Sequence, residues 1–328
     1  MLKRTIVPIS VVIPTLNRPQ TLKTTLESML SVNTVPAQLI IVDQSQQDSL
    51  RKETQKVSDR YAGTIDVQYI FQETPSSTKA RNKGMEYANQ PVIVFCDDDV
   101  KVKSNTFSEV ATIMSDSAIS MIAGIDLNEG LGSSLLGYIF GRKSYINRNI
   151  GHVTLSIYGR FPSQKILGEV PTQWAMGFFF CVKRENLYRW NIRWDERLTS
   201  YAYAEDLDFS YSYYKNSCKE GLKCILTPRV AVYHMHSREW RVSSYKSVAM
   251  SVINREYLSY KHFSWQSRVA TRWANIGEFL LKLVRHDNPM YIIYAQMQCD
   301  IHRNELKEGC ISPDLYDYEK AMRKQGKE

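Results

Sequence analysis

Residues 91–101 read PVIVFCDDDVK. Pro91 can open a strand because its missing N–H costs little at a first position, and Val92, Ile93, Val94, Phe95 and Cys96 follow as an unbroken apolar run. Such a run is expected of a strand buried on both faces. It delivers three adjacent carboxylates, Asp97, Asp98 and Asp99. Neighbours of one sign repel, and a divalent cation shared with phosphate oxygens is the compensation that suits them chemically. Taken alone, the three residues equally fit a solvated acidic turn, the common fate of short charge clusters.

The flanking sequence favours the first reading. Upstream, residues 9–13 form a short apolar run that ends at PTLNRP, and Leu22, Leu26, Met29 and Leu30 recur at helical spacing behind Pro19, a good first-turn residue. Residues 38–42 (QLIIV) read as a second buried strand ending at Asp43, followed by a polar turn and a helix over 50–61. A third strand is predicted over 67–71, and TPSSTKARNKGMEYAN begins a helix with Lys79, Arg81 and Asn82 near its start. Alternating strands and helices predict a parallel, doubly wound α/β sheet whose ligands sit beyond the carboxyl ends of the strands. Asp43 and Asp99 should then face one crevice.

Downstream, a helix is predicted over 104–115 and a strand over 118–123. Residues 130–168, rich in glycine, tyrosine and basic residues without a clean period, read as loops over the sheet and a mobile lid. Strand character returns over 173–182 (QWAMGFFFCV), before the helix start KRENLYRW. DERLTSYAYAEDLDFSYSYYKN puts Leu207, Tyr211 and Tyr214 on one helical face, with Glu205 and Asp206 in the first turn, where the helix dipole favours anions. Two short strands over 222–226 and 230–233 flank Pro228 and lead to His234, Met235 and His236. From residue 237 the pattern becomes long amphipathic helices with basic faces, over 242–263, 265–284 and 290–306. This divides the chain into 1–236 and 237–328. A helical appendix of this kind suits a membrane surface, an acceptor or a partner subunit, and equally suits packing on the main domain with a solvated outer face.

With 328 residues, 43% of them apolar, the chain can bury a large core. A formal charge of +8 and a pI near 9.0 point to an anionic partner: a nucleotide, a phospholipid surface or nucleic acid. The six cysteines, Cys96, Cys181, Cys218, Cys224, Cys299 and Cys310, lack a CxxC pair and read as reduced packing residues. The opening MLKRTIVPISVVIP is interrupted by Pro8 and Pro14 and reads as a first strand, not a signal peptide. No apolar run approaches the roughly 20 residues that cross a bilayer. A cytoplasmic location is expected, with peripheral attachment to the inner face of the cytoplasmic membrane as an extension of it. His152, His262, His286 and His302 lack partner spacing and read as surface residues.

In order, VVIPTLNR, IIVDQS, KARNKG, VIVFCDDDV, MGFFFCVKRENL and YAEDLDFSYSYYK resemble the motifs of family 2 glycosyltransferases over residues 5–236. These are inverting enzymes with the GT-A fold, a Rossmann-like, mostly parallel sheet flanked by helices, and members of this type build bacterial surface glycans. The resemblance implies that Pro14, Thr15, Asn17 and Arg18 form a nucleotide-contacting loop and that Asp43 accepts a hydrogen bond from the base. It places Lys79 and Arg81 near the nucleotide and Asp97 and Asp98 against the ribose and sugar. Asp99 would hold Mn²⁺ or Mg²⁺ bridging the diphosphate, and His234, or after it His236, would complete the metal shell. Asp206 matches the general base and Glu205 an orienting partner. Trp174, Met176 and Gly177 stand where members bind donor sugar or acceptor, although an aromatic and methionine cluster in an apolar strand is more often core.

The implied partners are a nucleotide-sugar donor and a glycan or lipid-linked acceptor. An anionic membrane surface and a second copy of the chain are further candidates. Two other readings compete. A nucleotidyltransferase shares strand-end carboxylates, but the glycine-rich phosphate loop it needs is missing. A non-catalytic nucleotide- or membrane-binding protein would use the basic helical region on anionic lipid; nucleic acid is disfavoured because that region contains no recognised module. The chain departs from the family pattern at QSQQDS after Asp43, where a glycine is often found, and over residues 130–168.

Overall fold

The computed structural model describes residues 4–128, 135–142, 149–162, 166–199, 203–237 and 244–317. The first half alternates as its apolar periods predict: β1 (Thr5–Thr15), α1 (Pro19–Leu30), β2 (Thr34–Asp43), α2 (Asp48–Asp59), β3 (Asp66–Phe71), α3 (Ser77–Tyr87) and β4 (Val92–Cys96). Next come β5 (Val100–Val102), α4 (Thr106–Met114), β6 (Ile119–Asp126), α5 (Leu135–Ile139) and three short strands, β7 (His152–Val153), β8 (Gly159–Arg160) and β9 (Val170–Pro171). The sheet is completed by β10 (Phe179–Lys183), with α6 (Arg184–Arg189) and α7 (Glu205–Lys219) before β11 (Lys223–His234). The chain then turns helical: α8 (Ser244–His262), α9 (Trp265–Val284), α10 (Met290–Ile301), α11 (Arg303–Glu308) and a 3-10 turn (Pro313–Tyr316).

Nine strands form one sheet in the order β3-β2-β1-β4-β10-β6-β11-β5, with β9 also paired to β11. β4 is central, and its alternation shows why its sequence is apolar throughout. Val92, Val94 and Cys96 join the layer containing Leu22, Leu26, Phe107 and Val110, whereas Ile93 and Phe95 join the opposite layer. There Phe95 meets Phe180 and Trp194 at 5.2 Å each, and Trp194 stacks on Phe209 at 4.3 Å. The prediction of a strand buried on both faces is borne out.

The sheet is mixed rather than parallel throughout. β1, β2, β3 and β4 pair in parallel, as do β6 and β11. β10, however, runs antiparallel to both β4 and β6, and β5 and β9 run antiparallel to β11. The chain enters β10 at the crevice end, where Phe179 pairs with Cys96. The strand predicted over 173–182 accordingly starts only at Phe179, and Trp174, Met176 and Gly177 lie on the approach to it. The two short strands around Pro228 are one strand, β11, whose register shifts between Leu226 and Ala231 and so accommodates the proline. Short β5, which sequence patterning overlooked, pairs Val100 with His234. Of the lid expected over 130–168, residues 130–134, 143–148 and 163–165 lie outside the described residues; the rest carries α5 and the β7–β8 hairpin.

The helical region packs onto the sheet domain. Ala249, Ile253 and Leu258 of α8 share a buried cluster with Ile157, Trp174, Leu198 and Leu207. No helix among the described residues is long and apolar enough to cross a membrane. The six cysteines are free thiols, four buried and Cys218 and Cys310 exposed.

A buried polar network ties α7 to α8. Asp195 Oδ2 accepts hydrogen bonds from the Tyr257 hydroxyl at 2.6 Å and Lys261 Nζ at 2.7 Å, and Oδ1 accepts from Arg197 Nε at 2.7 Å. Lys261 Nζ also donates to Asp208 Oδ2 at 2.8 Å, while His262 Nε2 lies 2.6 Å from Asp208 Oδ1. His262 is therefore no surface residue: its side chain is 4% exposed. Burial alone would raise the Asp195 pKa, but Arg197, Lys261 and Tyr257 together hold it well below the ordinary carboxylate range.

Two stability predictions follow from this packing. A Cβ on Gly84 of α3 would lie 2.3 Å from Val12 Cγ1 in the buried face of β1, so Gly84→Ala should cost about 1–3 kcal/mol in urea unfolding. Gly168→Ala, with no atom within 4 Å, should leave the midpoint unchanged. Because the folded-state pKa of Asp195 is depressed, its contribution is present above the unfolded pKa of about 4 and is lost as pH falls through the folded value. Asp195→Asn should lower stability at pH 7 by about 3 kcal/mol, with the deficit narrowing below about pH 4. A pH-independent deficit would contradict this account.

Candidate active site

The carboxyl end of β4 lies between β1 and β10, and its three aspartates diverge. Asp98 turns inward and is 0% exposed. Its Oδ2 accepts from Thr15 Oγ1 at 2.6 Å, its Oδ1 lies 2.7 Å from Arg18 Nη2, and its backbone carbonyl accepts from Thr25 Oγ1. Burial pushes the Asp98 carboxyl up to about 7, with Arg18 and Thr15 pulling the other way. Asp98, expected against the ribose and sugar, is engaged within the protein: together with Thr15 and Arg18 it locks the end of β4 to the first loop.

Asp97 and Asp99 remain at the crevice. Asp97 Oδ1 pairs with Arg81 Nη2 at 2.9 Å. Asp99 Oδ1 is 3.2 Å from His234 Nε2, and its Oδ2 accepts from the Ser237 N–H at 2.8 Å. Burial opposes ionisation of Asp99, but His234 and Ser237 outweigh it and lower the pKa. The β5–β11 pairing places His234 here, and its ring stacks on Phe178 at 5.2 Å. Ligand atoms of Asp97, Asp99 and His234 all lie within 4.8 Å of one another, and carboxylates with one imidazole make a donor set suited to Mn²⁺ and also accessible to Mg²⁺.

His236 belongs to a second grouping. Its Nε2 is 2.9 Å from Asp126 Oδ2, an atom that is buried without a well-formed hydrogen bond, and Asp126 Oδ1 accepts from the His234 N–H at 3.1 Å. Asp126, His234 and His236 form a further cluster of metal-ligand type. Sequence reasoning missed Asp126 because it ended the strand at residue 123. Extending that strand through MIAGID would have exposed a strand-terminal carboxylate like Asp43.

Asp43 is fully buried and already engaged: Oδ1 accepts from Ser45 N–H at 2.9 Å and Ser45 Oγ at 2.6 Å, and Oδ2 from Tyr69 at 2.7 Å. Side chains close the loop that lacks the expected glycine. Gln44 Oε1 accepts from the Ser76 N–H at 2.6 Å, and Asn17, at a left-handed φ of 56°, accepts from the Gln46 N–H at 2.9 Å. Pro14 is buried within β1 and Lys79 is exposed on the first turn of α3.

Arg81, also on α3, crosses the crevice. Its Nη1 reaches Glu205 Oε1 at 3.0 Å while Nη2 holds Asp97, and its guanidinium lies over Trp194 at 4.6 Å. Next to Glu205, Asp206 is fixed by two backbone donors: Gly177 N–H to Oδ2 at 2.9 Å and Leu207 N–H to Oδ1 at 2.7 Å. Burial raises the pKa of both acids, bringing Glu205 up to about 8, and the Asp206 charge adds to the rise at Glu205. A Cβ on Gly177 would sit 3.2 Å from Arg81 Nη2 and 3.4 Å from Asp206 Cβ, so the glycine permits this approach. Met176 is half-buried beside it. Trp174 is packed away at 5% exposure, its ring against Gly159 and 4.7 Å from Phe161, its Nε1 donating to the Arg160 carbonyl.

The structure thus brings Asp97, Asp99, His234, Arg81, Glu205, Asp206 and Gly177 together, and turns Asp98 and Trp174 into the protein. The Glycosyl transferase family 2 profile matches residues 10–158. By fold, the chain is similar to the mannosyltransferase PcManGT from Pyrobaculum calidifontis in complex with GDP-Man and Mn²⁺, with TM-score 0.54 and 12% identity over 97% of this chain and 86% of that one. It is similar to GalNAc-T7 with UDP, GalNAc and Mn²⁺, with TM-score 0.57 and 17% identity over 83% of this chain and 54% of the other. S. aureus TarS 1-349 aligns with TM-score 0.51 and 15% identity over 97% of this chain and 91% of that one. No curated protein sequence matches the chain. Residues 10–158 thus match the glycosyl transferase family 2 model, and the mixed sheet with flanking helices is the GT-A fold.

Proposed function

We propose that the chain is a metal-dependent, inverting glycosyltransferase that moves a sugar from a nucleotide-sugar donor to a hydroxyl of a glycan or lipid-linked acceptor. One observation carries the reading: a single guanidinium, Arg81, spans from a carboxylate of the metal-type cluster to the acid pair at the start of α7. Leaving-group stabilisation and proton removal therefore have their groups on opposite sides of one crevice.

Asp97, Asp99 and His234 would hold Mn²⁺ or Mg²⁺, and Asp126 would orient His234 and His236 behind it. A divalent cation bound there would stabilise the charge that collects on a departing nucleoside diphosphate. Asp206 is the proposed general base. Its two N–H donors fix the carboxylate plane, and its raised pKa makes it a stronger proton acceptor than an exposed aspartate. As the acceptor hydroxyl attacks the anomeric carbon from the face opposite the diphosphate, its proton passes to Asp206, and one displacement inverts the centre. Arg81 holds Glu205 and Asp97 apart in fixed positions, and a lysine could not reproduce that planar fork. Pro14, Asn17, Asp43 and Lys79 are assigned to the nucleotide side, and Met176 and Gly177 to the substrate side next to the base.

Thermal unfolding should test the donor site with UDP-, dTDP-, GDP- and CMP-sugars, each with Mn²⁺, Mg²⁺ or chelator. A true donor raises stability by RT ln(1 + [L]/Kd) in the presence of metal, and Asp99→Ala should abolish the metal-dependent part. Asp206→Asn should keep that stabilisation while kcat for transfer falls ~10²–10⁴-fold. Full transfer by Asp206→Asn would remove Asp206 from the base role.

A further inference from the structure

The helices α9 and α10 wear their polarity inside out. On α9 the buried positions are Ser267, Thr271, Ala274, Asn275 and Gly277. The outward positions are Trp265 (63% exposed), Val269, Trp273, Ile276, Leu280 and Val284 (76% exposed), spaced so that they run as one stripe along the helix. On α10, Met290, Ile293, Met297 and Ile301 form a second exposed row. The inner face of α9 is held instead by polar contacts: Arg255 of α8 donates to Asn275, and Thr271 and Arg272 reach Glu256. A surface helix in contact with water places its apolar stripe inward. At about 25 cal/mol per Å², leaving two such rows in water is a large cost, and patches of this extent mark interaction sites.

Charge chooses the occupant. Arg268 continues the row of Trp265 along α9, and Arg285 and Arg303 stand exposed where α9 ends and α11 begins. Asp300 pairs with Arg272, and Asp287 lies 3.7 Å from Lys282. Among the described residues neither Arg285 nor Arg303 has a carboxylate partner. In a two-fold dimer through this face the rim would meet its own copy, cation against cation. Anionic headgroups complement the same rim, and an indole ring such as that of Trp265 favours the depth between headgroup and chain. We propose that the outer face of α9 and α10 lies in the plane of an anionic lipid surface, with its apolar rows at the boundary between headgroups and acyl chains. The helices lie on the bilayer and do not span it. This inference does not depend on the glycosyl-transfer reading.

Sedimentation of the full chain with vesicles of phosphatidylcholine alone, or of phosphatidylcholine with phosphatidylglycerol, tests it. The chain should pellet with the phosphatidylglycerol vesicles, and the bound fraction should fall as salt rises. The double variant V269E/L280E should lose at least about tenfold in partitioning while its circular dichroism and thermal midpoint hold, because both side chains are exposed. R285E/R303E changes charge alone, so it keeps the test valid if the first variant folds poorly; it should weaken binding to phosphatidylglycerol vesicles without altering the fold. Failure to pellet with either vesicle overturns the proposal. So does a concentration-dependent dimer that V269E/L280E dissolves while vesicle binding is absent, an outcome that would give the face to a second copy.

Discussion

Three carboxylates in sequence at the end of a doubly buried strand repel one another, and the site is arranged around the three different ways in which that repulsion is relieved. Asp97 is answered by Arg81, Asp98 by Thr15 and Arg18, and Asp99 by His234 and the Ser237 N–H. Each answer recruits a different part of the chain. The first loop is locked to β4 through Asp98, α3 is pulled to the crevice through Asp97, and the end of β11 is fixed through Asp99. The short β5, pairing with the last residues of β11, supplies the register that makes the third of these contacts.

The second half of the site depends on how α7 is held. Its first turn carries three acids, and the residue before it, Ala204, has a left-handed φ of 65°, an unfavourable conformation for a side chain with a Cβ. The start of this helix is stabilised from both ends of its charge distribution: Arg81 meets Glu205 on the crevice side, and Lys261 and His262 meet Asp208 on the side facing α8. The first helix of the C-terminal region, α8, is therefore coupled, through Asp195 and Asp208, to the turn that presents Asp206. The same α8 supplies the polar partners that let α9 bury Thr271 and Asn275 and keep its tryptophans and aliphatics outside.

Much of the architecture is legible in order along the chain. The apolar runs of β1, β2 and β4, the helical spacing of Leu22, Leu26 and Met29, and the acids at the start of α7 are local signals, and they fall where local physics places them. The strand-end positions of Asp43 and Asp99 could be read in the same way. Less legible was anything that required two distant segments to be compared. The reversal of β10 has no signature in FFFCV, because a strand buried on both faces looks the same in either direction. Likewise, Asp98 and Asp99 are identical letters whose opposite directions follow only from the alternation at the end of β4 and from the position of Arg18.

The sequence by itself determined the sheet-forming segments, the carboxylates at their ends and the order in which the family motifs occur, because these depend on periodicities and side-chain chemistry within a few residues. Only the tertiary structure decided that Asp126 stands behind His234, that Arg81 is shared between Asp97 and Glu205, that Trp174 packs inside, and that the amphipathic α9 presents its apolar face to the outside. A helical stripe fixes which residues share a face, but not which way that face turns. That orientation is set by the buried arginine and glutamate of α8, whose need for polar partners outweighs the gain from turning the apolar stripe inward.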